Sequence, residues 1–138
     1  MARIIALDFG LKRTGIAVTD PLQIISTSLT TVPSHELMDF LTTYFLKEKV
    51  ETIVVGLPLF LTGGEMLLAK NVHMLCEKLN ELFPDKKIVK WDERYTSKMA
   101  SQTILAAGKK KKARQDKSLV DKVSATILLQ NYLQSVSL

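Results

Sequence analysis

Apolar residues along this chain fall into two patterns: short runs bounded by turn residues, and longer stretches in which they return every three or four positions. Residues 3–9 and 15–19 are short runs joined by a glycine-containing turn, which predicts a β-hairpin. Residues 25–32, Ile25-Ser26-Thr27-Ser28-Leu29-Thr30-Thr31-Val32, are β-branched and alternating, and predict a third strand. Pro33-Ser34 then opens a helix, with Ser34 placed to cap it and Leu37, Leu41, Tyr44 and Phe45 on one face. Thr52-Ile53-Val54-Val55-Gly56 is an apolar run of the kind found in buried parallel strands. The turn Gly56-Leu57-Pro58 and the loop Thr62-Gly63-Gly64 follow it. Residues 65–82 carry the clearest helical spacing, with Leu68, Val72, Leu75, Leu79 and Leu82 on one stripe. Lys87-Ile88-Val89-Lys90-Trp91 predicts a fifth strand that runs into Asp92-Glu93. Thr96 or Ser97 caps a helix to about Ala107, stopped by Gly108. Asp116 caps a final helix to about Leu133, with Val120, Val123, Ile127 and Leu128 on its apolar side.

The predicted order is β-β-β-α-β-α-β-α-α. A three-strand meander followed by βαβα units implies an α/β fold, a mixed five-stranded sheet with helices on both faces. With 138 residues, positions 1–138 form one domain large enough for a core of its own. No apolar run approaches the roughly 20 residues of a membrane span, and the N-terminus enters a strand with no secretory pattern. Cys76, the single cysteine, rules out an internal disulfide and a cysteine-rich zinc site. Its helical position predicts a buried thiol in a reducing, cytoplasmic setting. His73 lies off the helical stripe and His35 near a helix start; both read as solvated residues.

Charge sharpens the picture. Residues 109–122 hold seven basic side chains (Lys109, Lys110, Lys111, Lys112, Arg114, Lys117, Lys122) against Asp116 and Asp121, while the remainder carries twelve of each sign. One segment therefore supplies the whole net charge of +5, a pattern shared by solvated loops and by phosphate-binding segments.

Asp8 stands at the end of the apolar run Ile4-Ile5-Ala6-Leu7, where an unpaired buried charge would cost several kcal/mol. Glu93 follows the fifth strand and Asp121 lies one turn into the last helix, in line with the small residues Ser124 and Ala125. Each has a bland role: a turn residue, a surface ion pair, an acid favoured at a helix N-terminus. Asp92 competes with Glu93, because strand alternation alone does not choose between neighbours. Asp20, before Pro21, reads as a turn residue. If the first and fifth strands run parallel and close, Asp8 and the fifth-strand acid emerge at one sheet end, where ligand chemistry of such sheets gathers. Converging carboxylates repel unless a cation neutralises them, and hard oxygen donors without histidine or cysteine pairs suit Mg²⁺ or Mn²⁺.

Four ordered motifs carry a family resemblance across nearly the full length. They are Leu7-Asp8-Phe9-Gly10-Leu11-Lys12-Arg13-Thr14-Gly15-Ile16-Ala17-Val18, Val54-Val55-Gly56-Leu57-Pro58-Leu59, Trp91-Asp92-Glu93-Arg94-Tyr95-Thr96-Ser97 and Asp121-Lys122-Val123-Ser124-Ala125. The chain resembles the YqgF/RuvX family, related to the junction resolvase RuvC and the RNase H-like superfamily. The resemblance implies an RNase H-like fold and a metal-dependent nuclease with Asp8, Glu93 and Asp121 as catalytic metal ligands, choosing Glu93 over Asp92. It also implies work on structured RNA, in trimming the 5′ end of pre-16S rRNA on a ribosome precursor. Lys12, Arg13, Arg94 and the basic residues of 109–122 would then hold the phosphate backbone. The loop Leu59-Phe60-Leu61-Thr62-Gly63-Gly64 departs from the family's polar sequence there, and Phe60 could stack on an unpaired base.

Three rivals stand beside this reading. A resolvase of branched DNA is one, since phosphate contacts do not identify the sugar; symmetric cleavage would need a two-fold homodimer, not a monomer. A non-catalytic RNA-binding module of the same fold is the second. The third, an ATPase with an Asp-x-Gly phosphate loop, would need two such domains.

Overall fold

The computed structural model describes residues 2–59, 64–92 and 117–136, without the side chains of 117–122. Five strands form one sheet in the order β3-β2-β1-β4-β5: β1 (Arg3–Phe9), β2 (Arg13–Thr19), β3 (Ser26–Pro33), β4 (Val50–Leu57) and β5 (Lys87–Asp92). The meander β1-β2-β3 is antiparallel, as the hairpin pattern predicts, while β4 and β5 run parallel to β1. Register pairs Leu7 with Val55 and Leu57 with Asp92, so β1, β4 and β5 all finish at the same edge.

Alternation along the central strands feeds two cores. Ile5, Leu7, Ile53 and Val55 point to one face and are covered by α1 (Leu37–Lys47) and α2 (Leu67–Leu82). Ile4, Ala6 and Val54 point to the other, beneath Ala125, Leu128, Leu129 and Tyr132 of α3 (Lys117–Val136). Strands covered on both faces become continuous apolar runs, which is why β1 and β4 stand out in the sequence. The α3 helix crosses the sheet from the start of β3 toward β5. Ser26 Oγ donates to the Thr126 carbonyl at 3.0 Å, and Tyr132 packs edge-on against Trp91 with ring centroids 5.5 Å apart.

Three expectations need correction. Ser34 caps no helix: it begins a short 3₁₀ turn, Ser34–Glu36, that has no side-chain cap hydrogen bond. Its hydroxyl turns back to the β1–β2 turn instead, because the strands bring residues 10 and 34 together. The buried stripe of α2 is Ala69, Val72, Leu75, Cys76 and Leu79; Leu82 is half exposed at the end of the helix, past the edge of the covered face. His73 is not simply solvated, since Glu65 from the segment before α2 folds against it. The expected helix over 96–107 and the Asp116 cap lie outside the described residues.

Candidate active site

Asp8 is the sixth residue of β1, paired with Gly15 across the hairpin. It shares strand parity with Ile4 and Ala6, so it lies on the α3 face, at the edge where β4 and β5 also finish. Two strands across the sheet, Val89 and Trp91 pack on the same α3 core while Ile88 packs on the other. Asp92 therefore falls on the face opposite Asp8. Glu93 and Arg94 lie outside the described residues.

The last helix has a less direct relation to this edge. Asp121 lies in its opening turns, and its side chain is outside the described residues, as are those of Lys117 and Lys122. Five residues on, Thr126 is tied to Ser26, which pairs with Thr19 at the edge opposite Asp8. The described residues thus place Asp8 and the end of β5 at one sheet edge. Ser124, on the sheet-facing side of α3, is buried, and its hydroxyl has no hydrogen-bond partner among the described residues.

The β1–β2 turn beside Asp8 is tightly held. The Gly10 N–H donates to the Arg13 carbonyl at 2.8 Å, and a Cβ on residue 10 would meet that carbonyl oxygen at 2.8 Å, so only glycine fits. Ser34 grips the turn twice: its hydroxyl donates to the Gly10 carbonyl (2.5 Å) and its N–H to the Lys12 carbonyl (2.9 Å). The buried Thr14 hydroxyl lies 2.9 Å from Ser34 Oγ and completes the bracket. Lys12 and Arg13 are thereby presented at the same edge as Asp8. Lys109, Lys110, Lys111, Lys112 and Arg114 lie outside the described residues. Ser34 and Thr14 were not visible as turn-holding residues in the sequence, because the Ser34 contacts reach across 20 and 24 residues.

Other polar residues support the scaffold. His73 Nε2 stands 2.5 Å from Glu65 Oε1 at the start of α2. The Asp20 carboxylate accepts from the N–H groups of Leu22, Ile24 and Ile25, so it is the turn residue expected. Cys76 is buried, as expected, and burial pushes its thiol pKa up, which suits a packing residue and not a nucleophile. Among the described residues no three metal-binding side chains stand close enough to share an ion, and no helix is long and apolar enough to cross a membrane.

The sheet order and its covering helices define an RNase H-like fold. RuvC of T. thermophilus, solved in complex with a Holliday junction substrate, aligns over 99% of this chain and 97% of its own with a TM-score of 0.55 at 12% identity. The sequence then narrows the class: the chain belongs to the RuvX family, described as Holliday junction resolvase, whose profile matches residues 2–135. A Flavobacterium johnsoniae protein named "Putative pre-16S rRNA nuclease" is 51% identical over 98% of both chains, and a Bacteroides fragilis protein of the same name is 50% identical over 98% of both.

Proposed function

We propose that this chain is a divalent-metal-dependent endonuclease of structured RNA, acting in 5′-end processing of pre-16S rRNA in the cytoplasm, with residues 1–138 as one nuclease domain. The observation that carries the proposal is Asp8 on the α3 face at the common edge of β1, β4 and β5, in the fold of a family whose close relatives bear a nuclease name. Asp8, Glu93 and Asp121 are assigned as the catalytic carboxylates. The family motif supports Glu93 over its neighbour, and Asp92 falls on the sheet face opposite Asp8. Helical spacing supports Asp121, which precedes the buried Ser124, Ala125, Leu128 and Tyr132 by three, four, seven and eleven residues.

These donors are oxygen only, which fits Mg²⁺ or Mn²⁺. When bound, such an ion supplies a water activated for attack and a counter-charge for the leaving oxygen. The chain's own residues do the rest. Asp8 fixes the position of the charge from a rigid strand end, and Lys12 and Arg13 receive phosphates flanking the cut on the preorganised turn. Arg94, Lys109, Lys110, Lys111, Lys112, Arg114, Lys117 and Lys122 extend the grip along the backbone of the substrate, within a ribosome precursor. The family's description favours a second reading, cleavage of branched DNA by a homodimer. A side-by-side assay of a pre-16S rRNA fragment and a four-way DNA junction in Mg²⁺ and Mn²⁺ separates them. Cutting of the RNA fragment by a monomer is expected; cutting of the junction alone would overturn the RNA assignment.

A further inference from the structure

The edge that carries Asp8 has a second feature, on the opposite face of the sheet. Between the β1–β2 turn and the start of α2 lies a cleft of about 480 Å³, lined by Gly10, Leu11, Lys12, Arg13, Leu67 and Asn71 among others. That volume is within the roughly 300–1,000 Å³ of ordinary ligand sites. Its two lips are apolar and turned to solvent: Leu11 is 70% exposed and Leu67 95% exposed. A leucine at the tip of a flexible loop would be unremarkable. Leu11 is different, because the turn beneath it is fixed by the Gly10–Arg13 hydrogen bond and the double grip of Ser34. It is a rigid apolar projection beside the cationic side chains of Lys12 and Arg13.

That combination selects its occupant. A small apolar molecule would not need Lys12 and Arg13, and free phosphate would not need the leucines. A nucleotide needs both, as apolar faces accept a base while cations hold its phosphate. We propose that this cleft holds one unpaired nucleotide of the substrate strand, with its base against Leu11 and Leu67, its phosphate at Lys12 and Arg13, and Asn71 at the base edge. The proposal rests on the nuclease reading and deepens it. Since the cleft and Asp8 flank the same strand end, the nucleotide held there is close to the cut, and the enzyme would require a strand that is single-stranded or splayed beside the scissile bond.

The test uses the full chain in EDTA, so that the strand is bound without being cut. A stem–loop RNA with an unpaired 5′ flank carries 2-aminopurine at successive flank positions, and a DNA strand of the same sequence runs in parallel. One position should change fluorescence on binding. Leu11→Ala and Leu67→Ala, both at exposed side chains that the fold does not need, should each erase that change and weaken binding roughly tenfold, the low end of what losing an aromatic stacking partner costs. Removing the base at that position should make wild type and both variants bind alike, and Leu11→Met should restore the signal. A response in RNA and DNA alike assigns the cleft to base and phosphate; a response in RNA alone adds the 2′-hydroxyl; either supports it. No position-specific change, or variants that bind as tightly as wild type, would overturn the cleft. Cleavage of the same RNA in Mg²⁺ keeps the two readings apart: cutting without a cleft signal leaves the nuclease standing and removes the cleft. A cleft signal without cutting does the reverse.

Discussion

Replacing Ser34 by alanine tests whether the β1–β2 turn is held as described. The hydroxyl has one proton, which goes to the Gly10 carbonyl, so the Thr14 hydroxyl must donate to Ser34 Oγ. Alanine removes both bonds at once. Thr14 is fully buried and is left with a donor that water cannot reach, whereas Ser34 is half exposed and water can reach the Gly10 carbonyl. An orphaned buried donor costs about 1–3 kcal/mol and a water-replaced bond little, so the loss should be about 1–2 kcal/mol. The bond from the Ser34 N–H to the Lys12 carbonyl survives, which keeps the turn formed but looser. For a domain of this size that shift is about 3–8 °C in Tm. Urea unfolding should show a lower midpoint with an unchanged slope, and Ser34→Thr, which restores the hydroxyl, should recover most of it. An alanine variant as stable as wild type would refute the bracket, and with it the rigidity assigned to Leu11, Lys12 and Arg13.

Three other outcomes are expected. Glu93→Gln should abolish cleavage while Asp92→Asn, on the other face, stays active; the reverse ranking would show that β5 has the opposite phase. Hydrogen bonds, that from the Ile25 N–H foremost, hold the Asp20 carboxyl below the ordinary value of about 3.9. Its contribution to stability is therefore present above about pH 4 and lost as pH falls through the lower folded value. The acid limb of a stability–pH profile should be shallower in Asp20→Asn; superimposable limbs would deny it. Replacing Lys109, Lys110, Lys111 and Lys112 by serine should flatten the log K against log[salt] slope for RNA by roughly three to four units, and an unchanged slope would take the phosphate grip from this segment.

Much of the fold was legible because burial leaves a mark on sequence. β1 and β4 are covered on both faces and so carry the unbroken apolar runs Ile4–Leu7 and Ile53–Val55, and the helical stripes of α1 and α2 follow from one covered face each. What was not legible depends on contacts between distant residues. Ser34 stands where a helix cap would stand, and only the folded meander shows that its hydroxyl reaches residue 10. Glu65 precedes its helix, so its meeting with His73 has no helical signature. The face on which Asp92 lies has two equally good phases in sequence, and it follows only from the core that Trp91 joins. Asp8 was visible from the start because a charge closing an apolar strand is costly and therefore conspicuous.

The central claim is that Asp8 anchors a metal-dependent phosphodiester cleavage. The measurement that bears on it most directly is the single-turnover rate at which wild type and Asp8→Asn cut a pre-16S rRNA fragment in saturating Mg²⁺, with Mn²⁺ in parallel and urea unfolding as the folding control. Asparagine keeps the volume and loses the charge. The variant should remain folded and lose at least about 10²-fold in rate, the order seen when one stabiliser of transition-state charge is removed. An Asp8→Asn protein that cuts as fast as wild type, or a wild type equally fast in EDTA, would contradict the account.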